Sequence, residues 1–196
     1  MADKAFKFTE KQLEAQTILA GGATHNMLYG GSRSGKTFLH VRNIVLRALK
    51  APNSHHCILR FRFNHLKASV ILGTFPKVMK LCFPEVTYNL SKTDWYVTFP
   101  NDSELWFGGL DDKERTEKIL GQEYSTMLFN EASQIPKQAR DTAITRLAEL
   151  AETKVMDDDK EVVTGVLKPR AFYDCNPTNK NHWTYRELIQ KQDPET

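Results

Sequence analysis

Eight consecutive residues near the start of the chain constrain its fold and chemistry more than any other feature. They fit the pattern G-x-x-x-x-G-K-[ST] without a gap: Gly30, Gly31, Ser32, Arg33, Ser34, Gly35, Lys36 and Thr37. A short strand is predicted at residues 25–29 and a helix at residues 38–49. A glycine-rich turn between a strand and a helix N-terminus directs free backbone N–H groups and the helix dipole at an anion. The motif therefore predicts a nucleoside triphosphate site, in which Lys36 reaches the β- and γ-phosphates and the Thr37 hydroxyl binds Mg²⁺.

Composition places the chain among ordinary globular proteins. It has 196 residues, enough for one domain with a full core, and 40% of them are hydrophobic. No apolar run is long enough to span a membrane, and the N-terminus lacks the apolar stretch of a signal peptide. The three cysteines are odd in number and widely spaced, which fits neither a disulfide framework nor a zinc site and favours a reducing compartment. The net charge of +3 permits a nucleic-acid partner without indicating one.

Strands alternate with helices along the chain, which predicts an α/β fold with a mainly parallel sheet covered on both faces. Strands predicted at residues 94–99 and 104–107 are joined by a tight turn and would add an antiparallel hairpin. The other predicted elements are a helix at residues 9–19 capped by Thr9, a strand at 56–61, a helix at 64–81 with breaks at Gly73 and Pro76, a polar helix at 111–120, a helix at 136–151, a strand at 171–175 and a helix at 183–190. The acidic run at 157–159 is interpreted as a solvated turn.

A buried strand predicted at residues 124–129 ends in Asn130 and Glu131. Ligands of α/β proteins bind at the carboxyl ends of the strands, so both side chains are expected to face the phosphate site. Glu131 fits the carboxylate that orients and deprotonates the water attacking a γ-phosphate. The alternative for Glu131 is an exposed acid at the start of the next helix.

Asn130 stands where nucleotide-hydrolysing proteins of this type often carry an aspartate associated with Mg²⁺. Its carbonyl oxygen would give the metal a neutral partner with a weaker field than a carboxylate. Two origins fit this residue: it is natural, or it is an aspartate changed to asparagine to trap a nucleotide state.

Two more polar residues are candidates for nucleotide contacts. Asn176 follows the strand at residues 171–175, where its amide could report whether the γ-phosphate is present; a strand-ending Asn-Pro turn explains it equally well. Gln12 precedes the first strand and lies near Phe8, and its amide matches the donor and acceptor edges of adenine. An exposed helix residue is the alternative for Gln12.

Taken together, these segments resemble the ATPase domain of the large terminase subunit of tailed double-stranded DNA phages. The resemblance covers almost the whole chain and lies in residues 8–12, 30–37, 128–134 and 175–183. The last segment, in which Asn-Pro is followed by His-Trp, is the most specific, and it favours Asn176 as the residue that couples hydrolysis to movement. The resemblance implies a P-loop NTPase fold of the RecA-like ASCE type, in three layers.

The resemblance also implies a motor that uses ATP and Mg²⁺ to drive double-stranded DNA through the portal protein into an empty capsid, without reading its sequence. Its expected place is the cytoplasm of an infected bacterium, away from any membrane. A ring of identical subunits, commonly five, and a small terminase subunit are the expected partners. The family further carries a C-terminal nuclease domain, for which this chain has no room, so residues 1–192 are expected to be the ATPase domain and residues 193–196 the start of a linker.

A ring motor needs a positive group to neutralise the charge that develops during hydrolysis. Arg33 is the candidate within the same subunit, and Arg115 is the candidate that reaches a neighbour's site. Arg140 and Arg146 are further candidates, and a surface salt bridge is the alternative for each arginine. The basic segment at residues 60–67 is a candidate for signalling or DNA contact.

Other function classes also fit the phosphate-binding loop. A helicase-like ATPase that remodels nucleic acid would share the core but carry a second motor domain. A small-molecule or nucleotide kinase would transfer phosphate to an acceptor and would not need Glu131 to activate water. A nucleotide-binding module without turnover is the third alternative, because Asn130 weakens the expected metal site.

Overall fold

The computed structural model describes residues 7–157 and 160–191, and within these ranges the backbone alone of residues 115, 156, 157, 160 and 161. The helices are α1 (Glu10–Ala20), α2 (Lys36–Lys50), α3 (Phe63–Leu66), α4 (Phe75–Cys82), α5 (Lys113–Leu120), α6 (Lys137–Ile144) and α7 (Trp183–Leu188). The strands are β1 (His25–Tyr29), β2 (His55–Arg60), β3 (Asn89–Ser91), β4 (Tyr96–Thr98), β5 (Glu104–Gly109), β6 (Thr126–Phe129), β7 (Ala151–Asp157), β8 (Lys160–Leu167) and β9 (Arg170–Cys175). A π-helix, Lys67–Thr74, joins α3 to α4, and a 3₁₀ turn, Ala132–Gln134, follows β6.

The main sheet has seven strands in the order β1-β9-β6-β2-β5-β4-β3. All pairs from β1 to β5 in this order are parallel, whereas β4 and β3 are antiparallel additions at one side. The predicted α/β fold with a mainly parallel sheet and an antiparallel hairpin is therefore confirmed. The order also places β9 between β1 and β6, so three strand ends meet beside the phosphate-binding loop.

Two apolar clusters cover the two faces of the sheet. One includes buried residues of α1, α2, the π-helix and α4, and the other includes residues of α5, α6 and α7. Successive strand residues point to opposite faces, and so Phe172 of β9 belongs to the first cluster while Tyr173 belongs to the second. The first face carries α2, whose N-terminus holds the phosphate-binding loop, and polar strand residues on that face come close to it.

Most predicted elements are confirmed within a few residues, including α1 with its Thr9 cap. The Thr9 hydroxyl accepts a hydrogen bond from the Gln12 amide, and the Gln12 side chain accepts one from the Thr9 amide, which is a reciprocal capping box. The predicted breaks in the helix at residues 64–81 were wrong. The chain stays helical past Gly73 and Pro76, because π-helical turns precede α4 and Pro76 lies in its first turn, where a proline is tolerated.

The helix predicted at residues 136–151 ends early, at Ile144. The following residues connect strands instead: the Arg146 carbonyl accepts a hydrogen bond from the Tyr124 amide, and the Glu149 carboxylate accepts one from the His55 amide. A second, two-stranded sheet of β7 and β8 was missed altogether, and part of the predicted acidic turn, residues 158 and 159, lies outside the described residues. The available sequence signal was a set of β-branched residues on both sides of the acidic run, at positions 153, 155 and 162–164.

Within the described ranges, no helix combines the length and apolar character needed to cross a lipid bilayer. Cys57, Cys82 and Cys175 are all free thiols.

Candidate nucleotide site

The phosphate-binding loop connects β1 to the N-terminus of α2. Gly35 caps α2 with φ 88° and ψ 10°, in the left-handed region that favours glycine. No side chain caps this end, so the amide N–H groups of the first turn are left for an anion, which the helix dipole also favours. Arg33 likewise has a positive φ, 62°, and its side chain is exposed.

The Lys36 ammonium is held by the loop itself. Its Nζ donates to the carbonyl oxygens of Gly30 at 2.9 Å and Gly31 at 2.7 Å. It also contacts Ser34 Oγ and the amide oxygen of Asn176, both at 3.3 Å. The lysine therefore lies over the loop. A bound phosphate would replace the two carbonyl oxygens as the acceptor of its hydrogen bonds.

A cleft of about 250 Å³ lies over this loop. Residues 32–38 form one side of it, and Glu131, Asn176, Thr74 and Lys77 contribute the rest. The structure thus brings together the loop, Glu131 and Asn176, which were predicted from separate segments of the sequence. Thr74 and Lys77 were missed, because their place depends on how the π-helix and α4 pack and no motif marks them.

Glu131 has an unusual backbone conformation at the end of β6. Its φ of 51° and ψ of 52° are left-handed, which costs energy for a residue with a β-carbon. Its amide donates to Asp174 Oδ1 at 2.7 Å, and a 3₁₀ turn rather than an α-helix follows it. Glu131 lines the cleft together with the phosphate-binding loop.

Asp174 is a further residue near the loop that sequence reasoning missed. It is 1% exposed, and Thr37 Oγ1 donates to its Oδ2 at 2.7 Å. The Asn130 amide donates to both carboxylate oxygens, at 3.0 and 3.1 Å, and the Glu131 amide completes the set. The available signal was an acid two residues after Phe172 in an apolar strand, because a buried charge needs polar partners.

Asn130 is 2% exposed, and its amide nitrogen faces the loop. Nδ2 lies 3.3 Å from Thr37 Oγ1, while Oδ1 lies 3.4 Å from Nη1 of Arg60. The reverse orientation would set the Asn130 oxygen against the Asp174 carboxylate, so the hydrogen-bond pattern fixes this one. In this arrangement the nitrogen of the Asn130 amide, and not its oxygen, faces Thr37, and a metal role for Asn130 stays a prediction.

Asn176 and Gln12 both lie against the loop. Asn176 follows β9, which pairs with β1, and it contacts Lys36 directly. Gln12 donates to the Ser34 carbonyl at 3.4 Å, and its oxygen is engaged in the α1 capping box. A contact between Gln12 and adenine, and a sensing role for Asn176, stay predictions.

The candidate arginines occupy different settings. Arg140 is buried under α7, where it forms an ion pair with Glu187 and lies 4.6 Å from the Trp183 ring centre. Its charge is therefore engaged in contacts within the domain. Arg146 is exposed. Arg115 lies on α5, and its side chain lies outside the described residues.

Two ionisable groups beside the loop are neutral at neutral pH. Burial lowers the pKa of His40 to about 4, although the nearby Asp174 carboxylate and a hydrogen bond with the Tyr173 carbonyl oppose the shift. Burial also raises the pKa of the Cys175 thiol to about 11. Neither group therefore adds charge to the site.

The oxygen atoms near the loop fit a magnesium ion. Thr37 offers a hydroxyl and Asp174 a carboxylate, the hard ligands that Mg²⁺ prefers. Across the described part of the chain, no group of three or more His, Cys, Asp or Glu side chains could hold a metal by itself. A metal here would therefore share its ligands with a bound nucleotide.

Comparison with known proteins gives matches to phage terminases and DNA-packaging ATPases. A family model for the phage terminase large subunit matches residues 22–196. The structure of the large terminase from a thermophilic bacteriophage superposes with a TM-score of 0.74 at 18% identity, covering 95% of this chain and 43% of that one. The N-terminal domain of the bacteriophage phi29 packaging ATPase gives a TM-score of 0.59 at 15% identity, with 92% and 87% coverage. The Thermus phage P74-26 large terminase ATPase domain gives 0.58 at 17% identity, with 94% and 72% coverage.

At these identities the solved structures establish a common fold. The chain spans less than half the length of the thermophilic bacteriophage terminase that it matches. No curated protein sequence matches it significantly.

Proposed function

Because this chain belongs to the phage terminase large subunit family, we propose that it hydrolyses ATP to drive double-stranded viral DNA into a procapsid. The observation that carries the proposal is the shared cleft, in which Glu131 faces the phosphate-binding loop together with Lys36 and Asn176. The thermophilic bacteriophage terminase has been solved with ADP and with ATP-gamma-S, which supports ATP as the nucleotide. Residues 1–192 would be the ATPase domain, and residues 193–196, outside the described residues, would begin a linker.

In the proposed reaction, the loop amides and Lys36 bind the phosphates of ATP. A water oxygen attacks the γ-phosphorus. The bond between the γ-phosphorus and the β,γ-bridging oxygen breaks at the same time, and its electron pair leaves with ADP. Glu131 orients the water and accepts its proton, which yields inorganic phosphate. Mg²⁺ beside Thr37 would neutralise phosphate charge.

Three further residues have proposed roles in coupling. Arg33 is exposed on the loop and would stabilise the transition state within its own subunit, whereas Arg115 would act on a neighbour's site in a ring. The direct contact between Asn176 and Lys36 supports Asn176 as the residue that registers loss of the γ-phosphate. Gln12 would bind adenine from beside Ser34.

The proposed partners follow from family membership. They are non-specifically bound double-stranded DNA, the portal protein, the small terminase subunit and further copies of this chain in a ring, commonly of five. The proposed place of action is the cytoplasm of the infected host. A helicase-like function is the alternative, and strand separation without packaging into procapsids would favour it.

Glu131→Gln tests the hydrolytic role. We expect phosphate release to fall by about a hundredfold or more, because general-base catalysis is lost, while ATP binding changes little. Glu123→Gln is the matched control, since Glu123 is exposed and lies before β6, at the opposite end of the strand. Phosphate release by Glu131→Gln at the wild-type rate would contradict the mechanism, and transfer of phosphate to an acceptor other than water would indicate a kinase.

A further inference from the structure

The strand that normally supplies a metal-associated carboxylate ends here in an amide, and the carboxylate lies on the next strand. Asn130 directly follows β6, and Asp174 lies near the end of β9, which pairs with β6 in parallel register. Leu128 and Phe172 are partners in that register, and the residues two positions later share their face. That face carries the N-terminus of α2, and Asp174 therefore reaches the Thr37 hydroxyl.

The hydrogen-bond partners of Asp174 are all neutral. They are the Thr37 hydroxyl, the Asn130 side-chain amide and the Glu131 backbone amide. No lysine, arginine or histidine of the described residues forms an ion pair with it. A carboxylate that is 1% exposed is costly without a cation, even though hydrogen bonds and the α2 dipole stabilise it. The site therefore has a buried negative charge that a bound cation would compensate.

Asn130 suits this arrangement better than an aspartate would. Its Nδ2 lies 3.0 Å from Asp174 Oδ1, and a second carboxylate at that distance would repel the first. The contact between Arg60 and Asn130 Oδ1 keeps the amide nitrogen turned toward Asp174. The pair thus consists of one carboxylate, on β9, and one amide, directly after β6.

We propose that Asp174 is the carboxylate of the Mg²⁺ site beside Thr37 and that Asn130 is a positioning residue that holds Asp174. This inference rests on the proposed ATP site. The Thr37 hydroxyl donates a hydrogen bond to Asp174, and the lone pairs of the hydroxyl oxygen are therefore left for a metal. In this proposal Asp174, rather than residue 130, supplies the carboxylate, so an asparagine at position 130 does not weaken the metal site.

The test measures how strongly Mg²⁺ tightens nucleotide binding. Fluorescent methylanthraniloyl-ADP is titrated into each protein with Mg²⁺ and with EDTA, and the ratio of the two dissociation constants gives the metal coupling. We expect a ratio of about ten or more for wild type, close to one for Asp174→Asn, and a regained ratio for the double variant Asn130→Asp/Asp174→Asn. Asp102→Asn removes an exposed acid and should keep the wild-type ratio.

Binding of the fluorescent ADP in EDTA shows whether each variant is folded. If Asp174→Asn alone is unstable, the double variant still tests the inference, because it keeps the total charge of the pair. A wild-type ratio in Asp174→Asn overturns the inference, as does a double variant that binds ADP in EDTA but regains no coupling. The proposed function fails separately: wild type that shows this coupling pattern but releases no phosphate contradicts ATP hydrolysis and leaves the role of Asp174 standing.

Discussion

At the scale of single residues, the site depends on backbone conformations that most side chains avoid. Gly35, Arg33 and Glu131 all have positive φ angles, and all line the same cleft. Such conformations cost energy and persist where the surrounding structure holds them. At Gly35 the constraint is also spatial, because an added β-carbon would lie 2.7 Å from Gln12 Nε2.

Gly35→Ala should lower the free energy of unfolding by about 1–2 kcal/mol and weaken nucleotide binding, because alanine is strained at φ 88°. Chemical denaturation and nucleotide titration measure the two effects. Gly22→Ala is the control, since no atom lies within 4 Å of its added β-carbon. Gln12→Ala relieves the contact but also removes the α1 capping box, so the double variant is compared with Gln12→Ala alone. Equal stability of these two proteins would show that crowding, and not backbone strain, causes the loss.

At the scale of elements, polar side chains fix where strands begin. The Glu149 carboxylate accepts hydrogen bonds from the backbone amide of His55 at 2.7 Å and from that of Ser125 at 3.1 Å. It also pairs with His55 Nδ1 at 2.7 Å and with Ser125 Oγ at 2.6 Å. One side chain therefore joins the amino ends of β2 and β6, whose carboxyl ends carry Arg60 and Asn130 near the nucleotide site.

This link makes stability depend on pH. The hydrogen bond with Glu149 raises the pKa of His55 above 6.5, although burial opposes the shift. The folded state therefore holds the His55 proton more tightly than the unfolded state does. The stabilisation that results is fully present below pH 6.5 and is lost as the pH rises through the raised pKa. The melting temperature of wild type should exceed that of His55→Gln by more at about pH 6 than at about pH 8. A gap that widens with pH would contradict this sign.

At the scale of the whole molecule, the β7–β8 sheet is separate from the seven-stranded sheet. Its side chains Val155, Val163 and Val166 are each 50–55% exposed, whereas Ala151 and Leu167 at its base pack with Ala51. Its base thus joins the core, whereas the described valine side chains of the arm beyond it, residues 153–165, are largely exposed.

Replacing residues 153–165 with Asn-Gly should therefore preserve the fold and nucleotide binding. Glu152 and Val166 are paired, so a two-residue turn can close the shortened hairpin. We expect the free energy of unfolding to change by no more than about 1 kcal/mol, whereas Leu167→Ala should cost about 2 kcal/mol. Thermal melts and nucleotide titration distinguish the two, and unfolding of the shortened protein would show that the arm is part of the core.

The sequence by itself determined the features that depend on neighbouring residues. The phosphate-binding loop is contiguous, its glycine cap follows from local backbone geometry, and the β4–β5 hairpin is marked by its own turn. The Thr9 cap was predicted for the same reason, whereas its reciprocal capping box with Gln12 was not. Resemblance in a few short segments was enough to indicate the family.

Only the tertiary structure decided which residues meet across the sheet. Thr37 and Asp174 are 137 residues apart, and they touch because β9 lies beside β1 and α2 covers the face to which Asp174 points. Local spacing does not specify strand order, so the sequence showed an asparagine where a carboxylate was expected but not the carboxylate beside it. The same order brings Glu131 and Asn176 to the loop, and parallel pairing, a contact between distant segments, is the physical reason that the site exists.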